Sequence, residues 1–316
     1  MIRDRRAFIT GLKSTTLSMR EKNFLKKYKP WGVIIFSRNI KSFEQLNMLT
    51  KDIRKIFNDI NYPILIDEEG GRVNRLKKLF DTSVFTGSFF GNIYKNDKKK
   101  FNLYYKIYSK QISHILKKLG ININTIPVLD VKRINSDNVI GDRAFSSDPK
   151  IVSKIGDLCI NEFTKNKVGT IIKHIPGHGL AKVDSHKKTP IVKEKLSILN
   201  KKDFYAFKNK KCFFAMTAHI IYRDIDRINT ATHSKKIINL IRSKIKFKNL
   251  VISDDISMKS LKFSIEKNTK KAFSAGCNLV LHCNGRFREM MIVARNSPMV
   301  DKFIIKKTSQ FYKILS

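Results

Sequence analysis

Short runs of β-branched and other apolar residues, each ending in polar or glycine residues, alternate along the chain with longer stretches whose apolar positions recur every three or four residues. The first pattern is that of buried strands and the second that of amphipathic helices. Eight strand-like runs stand out, at 6–10, 32–36, 64–66, 121–127, 170–173, 213–218, 250–252 and 278–281. Helix starts fall between them. Ser18 can cap the stretch through Lys27, Ser42 opens an apolar-periodic run to Phe57, and Asp148 with Pro149 supplies a cap and a first-turn proline ahead of 151–165. Regular alternation of strand and helix implies an α/β fold with a parallel sheet, and eight strands suggest closure into a (β/α)8 TIM-type barrel. A doubly wound open sheet produces the same local alternation. The polar residues favour the barrel, whose active sites gather where strands end. Asp67 follows the third run, Lys173 and His174 the fifth, His219 the sixth, and Asp254 and Asp255 the seventh. Four strands would then point at one site.

Length fits this reading, because 316 residues with 42% hydrophobic content match one barrel of about 250 residues plus insertions. No linker-like stretch or internal repeat marks a boundary, so a single domain over 1–316 is expected. Arg3, Arg5 and Arg6 precede an apolar stretch, 7–12, that is broken by Thr10 and too short for a secretory signal. The longest mostly apolar run, 212–222, contains Thr217 and His219 and falls far below the roughly 20 residues of a membrane-spanning helix. Cys159, Cys212, Cys277 and Cys283 form no CxxC pair and sit in apolar segments, which predicts buried, reduced thiols rather than disulfides or zinc ligands. A cytoplasmic protein with no membrane partner is the expectation.

The formal net charge of +38 raises the question of a nucleic-acid partner. The lysines, however, are spread over nearly every helix-like segment instead of forming one stripe interleaved with aromatics, and the chain is also rich in Asn, Ile and Phe. That bias is the mark of A+T-rich coding, and it makes the lysines a solvated surface affecting solubility and weak nonspecific binding.

Three clusters carry candidate chemistry. IDEEGGRVNRL, 66–76, sets three acids beside two glycines and two arginines straight after a strand. It is either a binding site for something polar or a loop salt-bridge network. KHIPGHGLAKVDSH, 173–186, concentrates three of the seven histidines with Asp184. Asp184 could orient His186 and stabilise its protonated form, giving a general acid/base near neutrality. Alternatively His174, His178, Asp184 and His186 could form a transition-metal shell. Pro176, Gly177 and Gly179 argue against the helix that would place His174 and His178 on one face, so no metal is expected, and His178 reads as a loop-packing histidine bonded to backbone. VISDDIS, 251–257, ends an apolar strand in adjacent carboxylates whose side chains should point oppositely, one into a pocket and one onto loop amides or a helix N-terminus. A pocket carboxylate opposite an acid/base is the arrangement of a retaining glycosidase.

Together these runs, with WGVIIFSRNI, IPVLDV, GDRAFSSDP, MTAHIIY and AGCNLVLHCN, resemble in order the family 3 glycoside hydrolases, specifically the single-domain bacterial β-N-acetylhexosaminidases of peptidoglycan recycling. The resemblance extends from about Ala7 to about Arg286. It implies that Asp254 is the nucleophile and that His186, on a mobile loop, is the acid/base with Asp184 as its partner. It further implies that Asp67, Arg75, Arg143, Lys173 and His174 hold an N-acetylglucosamine unit, and that no metal or other cofactor is needed. The implied substrate is a muropeptide fragment, a terminal β-linked N-acetylglucosamine on a 1,6-anhydro-muramic sugar or its peptides, acted on by a monomer. A histidine acid/base is unusual, and Asp184 would raise its pKa enough to keep it protonated for the first step. Gly177 and Gly179 would let the loop close and withdraw. Ile175 stands where the family commonly has an aromatic, and Glu68 where glutamine is common.

Four rivals make different predictions. An N-acetylglucosaminide phosphorylase would release a sugar phosphate, and a histidine would not repel the incoming phosphate as a carboxylate would. Attack by the substrate's own acetamido oxygen would make Asp254 something other than a nucleophile. A metal-dependent barrel hydrolase would usually carry a His-x-His pair after its first strand, yet the first histidine here is His114. A basic nucleic-acid-binding protein would show affinity that collapses with salt and survives loss of Asp254.

Overall fold

A computed structural model describes residues 2–133, 140–181 and 188–316. Eight parallel strands close into a barrel: β1 Arg6–Gly11, β2 Pro30–Ile35, β3 Ile64–Ile66, β4 Ile123–Asn124, β5 Gly169–Ile175, β6 Phe214–Thr217, β7 Leu250–Asp255 and β8 Leu279–His282. Each pairs with its neighbours in sequence, and β1 closes the ring against β8 through Phe8 opposite Val280 and Thr10 opposite His282. The barrel expectation is met and the open sheet is excluded.

Alternation along the strands explains their nearly unbroken apolar runs, because both faces are buried. Ala7, Ile9, Trp31, Ile34, Leu65, Ile171, Phe214, Ile252 and Leu281 pack in the barrel interior, while Phe8, Val33, Ile64, Ile172, Val251 and Val280 pack in the shell beneath the helices. The helices are α1 Met19–Tyr28, α2 Phe43–Phe57, α3 Gly87–Asn96, α4 Lys98–Lys118, α5 Pro149–Lys165, α6 Leu196–Lys201, α7 Lys235–Ser243, α8 Ile265–Ala275, α9 Phe287–Asn296 and α10 Lys302–Leu315. The predicted caps are present. Ser18 and Glu21 form a reciprocal capping box, the Ser42 hydroxyl accepts from the Gln45 amide, and Asp148 accepts from the Lys150 amide with Pro149 in the first turn. α10 plugs the N-terminal end of the barrel: Phe311 lies edge-on to Phe214, 5.2 Å away, and Trp31 donates to the Thr308 hydroxyl at 2.8 Å. The open mouth is therefore at the other rim.

Boundaries shift by a residue or two in most strands, and three strands differ from the sequence reading in ways that bear on the site. The fourth run, expected over 121–127, is regular only at Ile123–Asn124, because Pro127 has no N–H to give the ladder. The chain nevertheless stays against β5, where Lys173 N–H donates to the Pro127 carbonyl and Leu129 N–H to that of Lys173. β5 and β7 run past their first charged residues instead of stopping there. Lys173 remains paired opposite Met216 of β6 because ion pairs at its tip offset the cost of burying an ammonium. All four cysteines are free thiols, three of them buried. Among the described residues no helix is long and apolar enough to cross a membrane.

Candidate active site

The segment after β3 turns back on itself. Glu68–Gly70 pairs antiparallel with Val73–Asn74, and Gly70 and Gly71 take the turn with φ of +82° and +60°. A side chain at Gly70 would also collide with the Phe85 carbonyl, 2.2 Å from its Cβ position. Period-two alternation then separates the three acids. Asp67 and Glu69 face the mouth of the barrel, whereas Glu68 points into the protein. There Glu68 accepts from the Thr82 hydroxyl at 2.6 Å and the Leu76 amide at 3.0 Å. Burial, only partly offset by those donors, pushes its carboxyl up to about 7.

Lys173 is the centre of the opposite charge cluster. Its ammonium reaches Asp67 at 3.1 Å, Glu69 at 2.6 Å and the Thr125 hydroxyl at 2.8 Å. Arg143 grips Glu69 with two parallel bonds, 2.7 and 2.8 Å, and Arg75 reaches Asp67 at 3.2 Å while its guanidinium lies 5.2 Å from the Phe36 ring centre. Burial opposes ionisation of both acids, yet the cations outweigh it. Glu69 comes down to about 2, and Asp67, which also accepts from Thr125, is held far below the usual carboxylate range. The salt-bridge reading of this loop is thus realised, and the ion pairs themselves line a cavity.

A second network sits on β5. His174 Nδ1 lies 2.7 Å from Asp130 Oδ2, and the His174 and His178 amides donate to Asp130 Oδ1 at 3.2 and 2.6 Å. Burial resists the charge on Asp130, but these partners win and its carboxyl lies below the ordinary range. An ionised carboxylate only accepts, so Nδ1 carries the proton and Nε2 is the ring nitrogen left for the cavity. His178 stacks edge-on to His174 at 5.6 Å, and burial, outweighing the nearby Asp130, pushes it down to about 4, so it is neutral at pH 7.

Asp254 and Asp255 differ in their partners as expected, although both line the cavity. The Asp255 carboxylate is taken up by Ser257 N–H and hydroxyl, at 3.1 and 2.7 Å, and by Cys283 N–H at 3.2 Å. Asp254 lines the cavity, and its Oδ1 accepts from the Asp255 amide at 2.7 Å. Neither caps α8, a role that belongs to Ser264. His219 supports this turn from behind: its Nε2 donates to the Asp255 carbonyl at 3.0 Å and its Nδ1 meets the Thr232 hydroxyl at 2.7 Å.

One cavity of about 170 Å³ gathers these groups. Asp67, Arg75, Arg143, Lys173, His174 and Asp254 all line it, which covers every described residue given a role by the resemblance, whereas His219, expected at the site from its place after the sixth strand, is not in the lining. Phe36, Met216, Met258 and Leu281 give it an apolar wall. Asp184 and His186 lie outside the described residues, as therefore does half of the alternative metal shell. Three members were missed in the sequence. Glu69 was unassigned among three adjacent acids, though the strand period places it with Asp67. Asp130 carried a usable signal, a single acid inside the apolar run IPVLDV. His178, read as loop packing, is in the cavity wall. Gly177 and Gly179 are closely packed. A Cβ at Gly179 would stand 2.1 Å from the Val131 carbonyl oxygen, and one at Gly177 2.7 Å from Asp203 Cβ, so both serve close packing.

The family model described as the glycosyl hydrolase family 3 N terminal domain matches residues 8–308. The chain belongs to that family and is a glycoside hydrolase. Among curated relatives, a protein named beta-hexosaminidase from Psychromonas ingrahamii is 31% identical over 320 residues, covering 98% of this chain and 90% of its own. One of the same name from Hydrogenovibrio crunogenus is 32% identical, covering 87% and 78%. Native NagZ from Neisseria gonorrhoeae superposes with a TM-score of 0.87 at 26% identity, covering 98% of this chain and 90% of that one. The same Neisseria protein has been solved in complex with N-trifluoroacetyl-D-glucosamine, with a TM-score of 0.86 at 25% identity over 99% and 90% of the two chains.

Proposed function

We propose that this glycoside hydrolase is an exo-acting retaining β-N-acetylhexosaminidase. It removes terminal β-linked N-acetylglucosamine from peptidoglycan fragments, namely N-acetylglucosaminyl-1,6-anhydro-N-acetylmuramic acid and its peptides. We place it in the cytoplasm as a monomer whose whole length, 1–316, forms one catalytic domain. The observation that carries the reading is the charge balance of the cavity. Among the described residues that line it, Asp67, Glu69, Asp254 and Asp255 stand against Arg75, Arg143 and Lys173, four acids to three bases. A site with no excess of positive charge suits an uncharged polyhydroxylated ring better than an anion, and its paired groups offer fixed donors and acceptors beside an apolar wall. This also favours water over phosphate as the second reactant. The names of the relatives, and the N-acetylglucosamine analogue held by the Neisseria protein, support the sugar assignment.

In this mechanism the Asp254 carboxylate attacks the anomeric carbon as the glycosidic bond breaks, and His186, oriented by Asp184, gives its proton to the departing oxygen. Water then attacks the same carbon, passes a proton to His186 and releases Asp254, so the configuration is retained. Asp67, Arg75, Arg143, Lys173 and His174 hold the sugar. Turnover of 4-nitrophenyl N-acetyl-β-glucosaminide by the folded wild type, Asp254→Ala and His186→Ala tests these roles. We expect nearly complete loss in the first variant and a large drop in the second, with a slow fluorosugar labelling Asp254. An inactive wild type would overturn the activity, an unlabelled Asp254 would point to attack by the acetamido oxygen, and a sugar-phosphate product would make the enzyme a phosphorylase.

A further inference from the structure

Outside the sugar cavity, the loop before α3 and the outer side of α4 form an apolar groove of about 320 Å³, lined by Phe80, Phe85, Phe89, Tyr104, Ile107 and Tyr108 among others. Its floor is rigid. Phe85 stacks on Phe90 at 6.1 Å, and Phe90 packs edge-on against Tyr105 at 4.8 Å. Ile107 of its lining is 51% exposed, and Leu103 and Val84, next in sequence to the lining residues Tyr104 and Phe85, are 57% and 68% exposed. Contiguous apolar surface of this kind marks an interaction site rather than a stray exposed side chain.

Charge decides what fits it. Residues 77–118 contain ten lysines, all exposed, against two acids, Asp81 and Asp97. Both acids are spent locally: Asp97 caps α4, and Asp81 closes its own turn on Ser83. Around the groove the ammonium groups are of one sign on long flexible stems, and Lys100 lies 5.5 Å from the Tyr104 ring centre. A second copy of the chain is disfavoured, since each carries +38. We propose that this face docks on an anionic phospholipid surface. Leu103, Tyr104 and Ile107 enter the boundary between headgroups and acyl chains, the groove accommodates acyl carbon, and the lysines meet headgroup phosphates.

The test is co-sedimentation of the full chain with phosphatidylcholine vesicles, alone or with about a third phosphatidylglycerol. Binding is expected only to the second, and it should weaken with salt. Leu103→Ser with Ile107→Ser should lower the partition constant about tenfold or more. The triple change of Lys99, Lys100 and Lys110 to Gln should lower it roughly fivefold per lysine. Removing Lys302, Lys306 and Lys313 of α10 in the same way should leave it nearly unchanged. None of these positions lines the sugar cavity, so turnover of the chromogenic substrate reports folding and should match wild type. Equal binding to both vesicles, or equal loss from the α10 triple, would reduce the effect to net charge and overturn the proposal. Indifference to both vesicles would also overturn it, and would leave an acidic protein segment as the occupant of the groove.

Discussion

Replacing Asp130 by Asn isolates the contribution of a group that touches no substrate. Asp130 is fully buried and accepts three bonds, from the His174 amide, the His178 amide and His174 Nδ1. Asn keeps an oxygen for the two amides but turns an NH2 toward Nδ1–H, donor against donor. The imidazole must then move its proton to Nε2, so the nitrogen left for the cavity changes from acceptor to donor. A bond between a charged acceptor and a buried donor is worth about 1.5–3 kcal/mol. If that energy supports sugar positioning, kcat/KM on the chromogenic substrate should fall about 10- to 100-fold, since each 1.4 kcal/mol is a factor of ten. A thermal melt of the same sample separates this from unfolding. The double mutant supplies the decisive comparison: in a His174→Ala background, Asp130→Asn should cost little more, because its effect passes through the ring. Full additivity of the two losses, or a folded Asp130→Asn enzyme within twofold of wild type, would refute the argument.

The acids of the loop after β3 differ in how pH acts on them. Glu68, ordinarily at 4.5, is raised to about 7 in the fold, so it contributes stability below pH 4.5 that is lost as pH rises through 7. The penalty above that point is about 3 kcal/mol. Glu68→Gln removes it, with the amide oxygen accepting from Leu76 N–H and the amide nitrogen donating to Thr82. The melting temperature of the variant should therefore exceed that of wild type by a margin that grows from pH 5 to 8, and a constant margin would count against it. Glu69 has the opposite sign: depressed to about 2, it contributes stability above pH 4.5 that is lost as pH falls toward 2. Glu69→Gln leaves Lys173 and Arg143 with one carboxylate fewer between them, and we expect a loss of about 3 kcal/mol in denaturant unfolding together with a raised KM. Gly179→Ala should destabilise by about 1–3 kcal/mol because the new methyl meets the Val131 carbonyl at 2.1 Å. An unchanged melt would refute the packing role.

The sequence was legible where a single period governs local structure. Strand runs with both faces buried, serine and aspartate caps, and polar residues after strand ends together specified the barrel and the rim that carries its site. Boundaries were harder to read for a specific reason: a charged residue in a strand was taken as its end, and only the partner decides that. Lys173 stays in β5 because Asp67 and Glu69, more than a hundred residues away in sequence, come to meet it. The same long-range pairing hid Glu69 and Asp130, whose importance lies in what they neutralise. It also explains the density of charge in IDEEGGRVNRL. Left unmatched, those acids would make burial prohibitive, but matched by Arg75, Arg143 and Lys173 they become fixed dipoles at the barrel mouth. Such a site needs little rearrangement when a neutral sugar arrives, because the charges are already held by one another and by strand ends. Their geometry should therefore depend more on the network than on any single contact with ligand. That dependence is why removing Asp130 or Glu69 is expected to disturb catalysis at least as much as trimming a residue that touches the sugar from the apolar wall.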